Sequence, residues 1–174
     1  IDELKEEKFQ NLFKDEKQKF IVKDCQLDTD KEVLIPDDYV SSIEERLTLY
    51  KELNDIQDEE NLLIFEKNLV DRFGKKPNKI NILFEAIRLR WKGKEIGFER
   101  IVLKNDVIRA YFISNNQSKY FESQSFKKVL NYLRKNPKDC ILKEVKGKLS
   151  LSKQNIFQIS DAINLLQNIL NQNI

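Results

Sequence analysis

The sequence predicts an α+β fold: a helical block of three helices, then antiparallel hairpins with two further helices. Two observations lead there. Apolar residues recur at helical spacing from Ile43 to Trp91 and give way to β-rich runs after Gly97. No regular strand–helix–strand alternation appears, which argues against a doubly wound parallel sheet. With 174 residues, 40% hydrophobic and 34% charged, the chain can bury a core without disulfides or a metal.

Residues 1–19 are highly charged, with Leu4, Phe9, Leu12 and Phe13 as anchors, and read as a short connector helix that docks elsewhere. Residues 20–174 read as the domain itself. The stretch to Pro36 is predicted as extended chain broken by a turn at Asp28-Thr29-Asp30. Asp28 and Asp30 have the spacing of a calcium loop, but its glycine and terminal glutamate are absent. Ser41 and Ser42 each precede a glutamate by three residues, the capping-box pattern, and Ile43, Leu47, Tyr50 and Leu53 follow as a core-facing stripe. Asp58-Glu59-Glu60 suits the positive end of a second helix with the stripe Leu62, Phe65, Leu69 and Phe73, stopped at Gly74. Pro77 suits the first turn of a third helix. Its two apolar lines, Ile80, Leu83, Phe84, Ile87 and Trp91 against Ile82, Ala86 and Leu89, mark it as the central helix.

Two hairpins are predicted, Phe98–Lys104 with Val107–Ile113 about Asn105-Asp106, and Cys140–Val145 with Lys148–Leu151 about Lys146-Gly147. Between them a helix from Ser123 or Ser125 carries Phe126, Val129, Leu130 and Leu133 and closes at Asn136-Pro137. A last helix starts near Ser160 and runs through Ile163, Leu166, Ile169 and Leu170.

Composition removes much chemistry. There is no His, so His-based triads and nearly all zinc sites are excluded. Four scattered glycines build no phosphate-binding loop. Two cysteines, Cys25 and Cys140, fit a reducing cytoplasm, and no apolar run is long enough to span a bilayer. A non-enzymatic monomer without cofactor or metal is the expectation. Ile1 at the start and the lack of Met suggest a piece of a longer protein. The net charge of +2 hides an asymmetry: residues 1–74 carry 11 Lys/Arg against 21 Asp/Glu, and residues 75–174 carry 20 against 8. Such a split marks separate surfaces for different neighbours, or two halves that neutralise each other.

The series Ile35-Pro36-Asp37-Asp38-Tyr39, Arg46-Leu47, Leu49-Tyr50-Lys51 and Asp71-Arg72-Phe73-Gly74, with Pro77 close behind, resembles the C-terminal domain of the bacterial transcription-repair coupling factors, the Mfd family. Arg88-Leu89-Arg90 and the hairpin beginning at Ile101 continue the match, which covers residues from about 20 to 170. The resemblance implies a parent that is an ATP-driven translocase on double-stranded DNA, displaces stalled RNA polymerase and recruits the excision-repair protein UvrA. Residues 1–19 would then be the connector leaving its motor region. The domain itself would be regulatory and non-catalytic: it packs on a UvrB-like N-terminal module and masks the surface that UvrA binds. The family's interdomain contacts fall by position on Asp71 and Arg72, and on Asn68, where some members carry a carboxylate.

Helical geometry supports this placement independently. Asp71 points about 160° away from the buried Phe73, and a carboxylate at the negative end of a helix is disfavoured. A Lys67–Asp71 surface pair worth about 0.3 kcal/mol is the alternative. The basic run Arg88, Arg90, Lys92, Lys94 and Arg100 suggests a second function, a basic nucleic-acid-binding module. Trp91 lies within it, but on the Phe84–Ile87 stripe, so it is predicted in the core among neighbouring strands. Lacking a phosphate loop, the chain is expected to show no saturable ATP binding by isothermal titration. Micromolar affinity would overturn the non-catalytic reading.

Overall fold

The computed structural model describes residues 22–115 and 117–174; the connector helix predicted over residues 1–19 lies outside them. The described chain opens with strand β1 (Gln26–Thr29) and continues through helices α1 (Ile43–Asp55), α2 (Glu59–Phe73) and α3 (Asn78–Ile96). Strands β2 (Phe98–Lys104) and β3 (Val107–Phe112) follow, then a 3₁₀ turn at Lys119–Glu122 and helix α4 (Gln124–Lys135). Strands β4 (Ile141–Val145) and β5 (Lys148–Gln154) and helix α5 (Ile159–Leu170) complete it. The predicted α+β class, helical block and both hairpins are present.

Local chemistry sets the boundaries. The Ser42 hydroxyl accepts from the Glu45 N–H, and Asp58 accepts from the Asn61 N–H at 2.8 Å, each satisfying an orphan donor of a helix start. Asn105 and Asp106 take φ of 53° and 58°, and Lys146 and Gly147 take 52° and 77°. Paired left-handed residues match the twist of two-residue hairpins.

The sheet order is β1-β2-β3-β5-β4, and β1 runs parallel to β2. The sheet is therefore mixed, not purely antiparallel. The reason is the connection: α1–α3 form one long crossover, which a parallel pair requires. The strand itself is four residues, too short for a clear alternation. Asp28 and Thr29 belong to β1 rather than to a turn; after it the Thr29 hydroxyl accepts from the Lys31 N–H at 3.1 Å, and Asp30 accepts from the Asn105 N–H at 2.8 Å. Residues 31–35 are irregular rather than extended strand.

Two apolar cores lie on either side of α3. Ala86, Leu89 and Ile96 pack with the inner face of the sheet, α4 and α5. Ile80, Leu83, Phe84 and Ile87 pack with α1, α2, Ile35 and Val40. Three predicted packing details change. On α1 the buried residues are Leu49 and Leu53, while Ile43 and Leu47 are 66% and 55% exposed. Both lines satisfy helical spacing, and the partner segment Ile35–Val40 selects the Leu49 side. On α4, Tyr132 is buried and Leu130 exposed, because the Tyr132 hydroxyl reaches Asp139 at 3.1 Å. Trp91 is half-buried and packs in the second core, not among strands; its indole N–H donates to the Ile56 carbonyl at 3.1 Å.

Gly97 ends α3 at φ 111°, and a Cβ there would lie 2.1 Å from a ring carbon of Tyr120. The Tyr120 hydroxyl donates to the Ile96 carbonyl at 2.6 Å, so the ring occupies the space a side chain would need. Gly97→Ala is expected to cost about 3 kcal/mol or more, from backbone strain plus overpacking. Trp91→Ala should cost about 2 kcal/mol, below the 3–5 kcal/mol of a fully buried aromatic. Urea denaturation checks both; a Gly97→Ala loss below that of Trp91→Ala would contradict this packing.

Candidate interdomain contact surface

The C-terminal half of α2 is built by its buried line. Leu62, Phe65 and Leu69 face the second core, which turns Asn68 and Asp71 outward, and both are exposed. Asp71 has no hydrogen-bond or ion-pair partner among the described residues. The alternative Lys67–Asp71 pair is thus not formed, and the carboxylate stands alone beside the helix's negative end. Arg72 points another way. Its guanidinium lies 3.5 Å from Glu45 of α1 and 4.8 Å from the centroid of Phe73.

Sequence reasoning missed two residues on this surface. Leu63 and Ile64 are each 53% exposed, and Ile64 lies seven residues before Asp71, on the same side of the helix. Ile64 and Asn68 line a groove of about 370 Å³ together with Glu52, Asp55 and Asn61. The signal was present: in the run Leu62-Leu63-Ile64-Phe65 only two positions can face one core.

The residues that carried the resemblance hold this end of α2 in place. The Tyr39 hydroxyl donates to the Gly74 carbonyl at 2.8 Å, and its ring packs on Phe73 at 6.0 Å. The Ile35 N–H donates to the Tyr50 hydroxyl at 2.7 Å, and Arg46 donates to the Val40 carbonyl at 2.6 Å. Lys76 pairs with Glu66 across the Gly74 turn. Motif residues therefore bond chiefly to one another.

The basic run has a different fate. Arg88 binds Glu59 through two nitrogens at 2.9 and 2.5 Å. Arg90 donates to Asp24, to Asn54 and to the Cys25 carbonyl. Lys92 donates to Gln167 at 2.6 Å and Lys94 to Gln57 at 3.3 Å. Arg100 lies on β2, away from the helix, paired with Asp28 at 2.9 Å. The structure does not gather these five into one free patch; each already has an acceptor.

No nucleophile stands out either. Cys25 and Cys140 are buried, which pushes their thiols up to about 12 and about 11 respectively, although Arg90 and Lys153 act the other way. Such thiols are inert at neutral pH. Among the described residues no acidic, Cys or His cluster is arranged to hold a metal, and no helix is long and apolar enough to cross a membrane.

Comparison with known proteins bears on the same stretch. The family described as TRCF domain matches residues 29–123, which contain Asn68, Asp71, Arg72 and all five cations. The transcription-repair-coupling factor of Myxococcus xanthus is 35% identical over 77 residues, covering 40% of this chain and 6% of that protein. Those of Buchnera aphidicola and Borreliella burgdorferi are 31% and 28% identical, each over 79% of this chain and 19% and 12% of their own lengths. The chain thus spans less than a fifth of these relatives. A crystal structure of the C-terminal domain of transcription-repair coupling factor has the same fold, with a TM-score of 0.63 at 17% identity over 84% of this chain and 92% of that one.

The exposed positions of Asp71 and Arg72 imply little role in folding. Asp71→Ala is expected to leave stability within about 0.5 kcal/mol, and Arg72→Ala, which loses an exposed pair, within about 1 kcal/mol. Denaturant titration of the chain checks this; losses above about 2 kcal/mol would place both residues in the folding core.

Proposed function

Because the chain belongs to the TRCF domain family, we propose that it is the non-catalytic, autoinhibitory C-terminal domain of a transcription-repair coupling factor. In this reading it packs on the UvrB-like N-terminal module of its parent and masks the surface that UvrA would bind. The parent is an ATP-dependent translocase on duplex DNA that acts on stalled RNA polymerase in the cytoplasm.

The observation that carries the reading is the outward side of α2. A carboxylate at a helix's negative end with no partner among the described residues, on the same outward side as two half-exposed aliphatic side chains about two turns earlier, is an arrangement that folding alone does not favour. It fits a contact with an apolar centre and a charged rim. Asp71 offers an acceptor for a cation of the partner module. Arg72, held by one exposed pair to Glu45, can exchange that carboxylate for another at small cost. Asn68 contributes amide hydrogen bonds where some relatives would contribute a charge. The motif network around Tyr39 and Gly74 supports the same reading, since it presents this helix end rigidly.

The alternative reading, a nucleic-acid module built on Arg88, Arg90, Lys92 and Lys94, is less well supported. Those side chains are engaged with Glu59, Asp24, Gln167 and Gln57.

The test is UvrA binding by the full-length parent, wild type against Asp71→Ala/Arg72→Ala. Truncating one side of a charge pair at a buried interface costs about 2–5 kcal/mol. From a closed state that dominates, this raises the open form roughly 30- to several-thousand-fold, and UvrA affinity rises accordingly. Unchanged UvrA affinity with an intact fold would reject the masking role.

A further inference from the structure

We propose that the face of the sheet opposite α3, α4 and α5 is a contact surface for the phosphate backbone of duplex DNA, with Arg109, Lys143 and Lys148 as the cations that have no partner among the described residues. The ladder registers decide which side chains share this face. Arg100 stands opposite Tyr111, Tyr111 opposite Ser150, and Ser150 opposite Lys143, one row running across four strands. Two residues along β3 from Tyr111 is Arg109, and two along β5 from Ser150 is Lys148. The alternate positions, Ile101, Ala110 and Leu151, face the core shared with α3, α4 and α5. None of the outward row belongs to either core.

The charge on this face is mostly basic. Arg100, Lys104, Arg109, Lys143 and Lys148 point outward by register against Asp28, and Glu99, at the bulge of β2, lines the same concavity as Arg100 and Lys148 with its carboxylate bonded to Ser114. Asp28 is occupied by two of the five, Arg100 at 2.9 Å and Lys104 at 3.3 Å. Arg109, Lys143 and Lys148 are exposed and have no partner among the described residues. Every cation of the run on α3, by contrast, is already bonded within the fold. An ordinary solvent face of an antiparallel sheet carries mixed polar residues; this one carries three cations that form no ion pair among the described residues.

Strand spacings of about 4.8 Å and i, i+2 spacings of about 6.8 Å put the three within roughly 15 Å of one another. A duplex presents one phosphate charge per about 1.7 Å of axis, so a flat face of this size meets several. Ser152 lies beside Arg109 on the same face and adds a hydroxyl donor. A single strand is a poorer fit, because Tyr111 is half-buried and no row of exposed aromatics offers a stacking platform. The choice of DNA over other polyanions rests on the family reading above; the placement of the surface does not.

The experiment is fluorescence anisotropy of a mixed-sequence DNA duplex titrated with the 174-residue chain at several salt concentrations. Wild type is expected to bind saturably at about 50 mM salt with a steep salt dependence. Arg109→Gln/Lys143→Gln/Lys148→Gln should bind at least about tenfold more weakly, with a salt slope smaller by about 2–3. Lys127→Gln/Arg134→Gln/Lys135→Gln removes the same charge from the exposed side of α4, in the other layer, and should bind as wild type. Absence of saturable binding, wild-type affinity in the sheet variant, or equal losses in both variants would overturn the proposal. So would tighter binding of polyglutamate, which would assign the face to an acidic protein, or tighter binding of the single strand. UvrA masking is not read by this assay, so either proposal can fail without the other.

Discussion

Helix α3 has to be buried on two sides, and the rest of the domain is arranged around that constraint. Phe84 and Ile87 commit one side to α1 and α2, and Ala86 and Leu89 commit the other to the sheet and the last two helices. A helix apolar on both sides cannot lie on a surface, so two layers must form around it. Close approach then demands small residues. A Cβ on Gly93 would fall 2.7 Å from the Cys25 sulfur, and one on Gly97 would fall on the Tyr120 ring. β1 is seated against α3 through the first of these contacts, and the 3₁₀ turn through the second.

The same arrangement separates the domain's charges. The acidic part of the chain supplies α1 and α2, and the basic part supplies the sheet and α4. Where the two meet, they pair: Arg88 with Glu59, Arg90 with Asp24, Arg100 with Asp28. Neutralisation at the junction is therefore real, and it consumes the cations that the sequence displays most conspicuously. Among the described charges without a partner are a carboxylate on α2, Asp71, and three cations on the outer sheet face, Arg109, Lys143 and Lys148. The two proposed contacts therefore lie on separate surfaces of opposite charge.

The motif series has a comparable double character. Tyr39, Arg46 and Tyr50 spend their polar atoms on backbone groups of Gly74, Val40 and Ile35. Such bonds hold a loop and a helix end in one position and present no chemistry outward. Asp71 is a member that stays exposed and unpartnered among the described residues, and Asn68 lies exposed one turn before it. In this domain the motif is mostly scaffold, and the proposed contact falls on the part that the scaffold leaves exposed.

The sequence by itself determined the α-helices, both hairpin turns, the helix starts near Ser41-Ser42 and Asp58, and the outward direction of Asp71. These depend on neighbours within a few residues: a hydroxyl three positions before an N–H, two residues able to take positive φ, or an angle of 100° per residue. Tertiary structure alone decided the parallel pairing of β1, the choice of Leu49 over Leu47 as the buried line, the half-exposure of Leu63, Ile64 and Trp91, and which cations stay unpaired. Each of those turns on a partner that is distant in the chain, such as Asp24 for Arg90 or Asp28 for Arg100. Local periodicity is satisfied equally well by either answer, and only the packing of the second surface selects one.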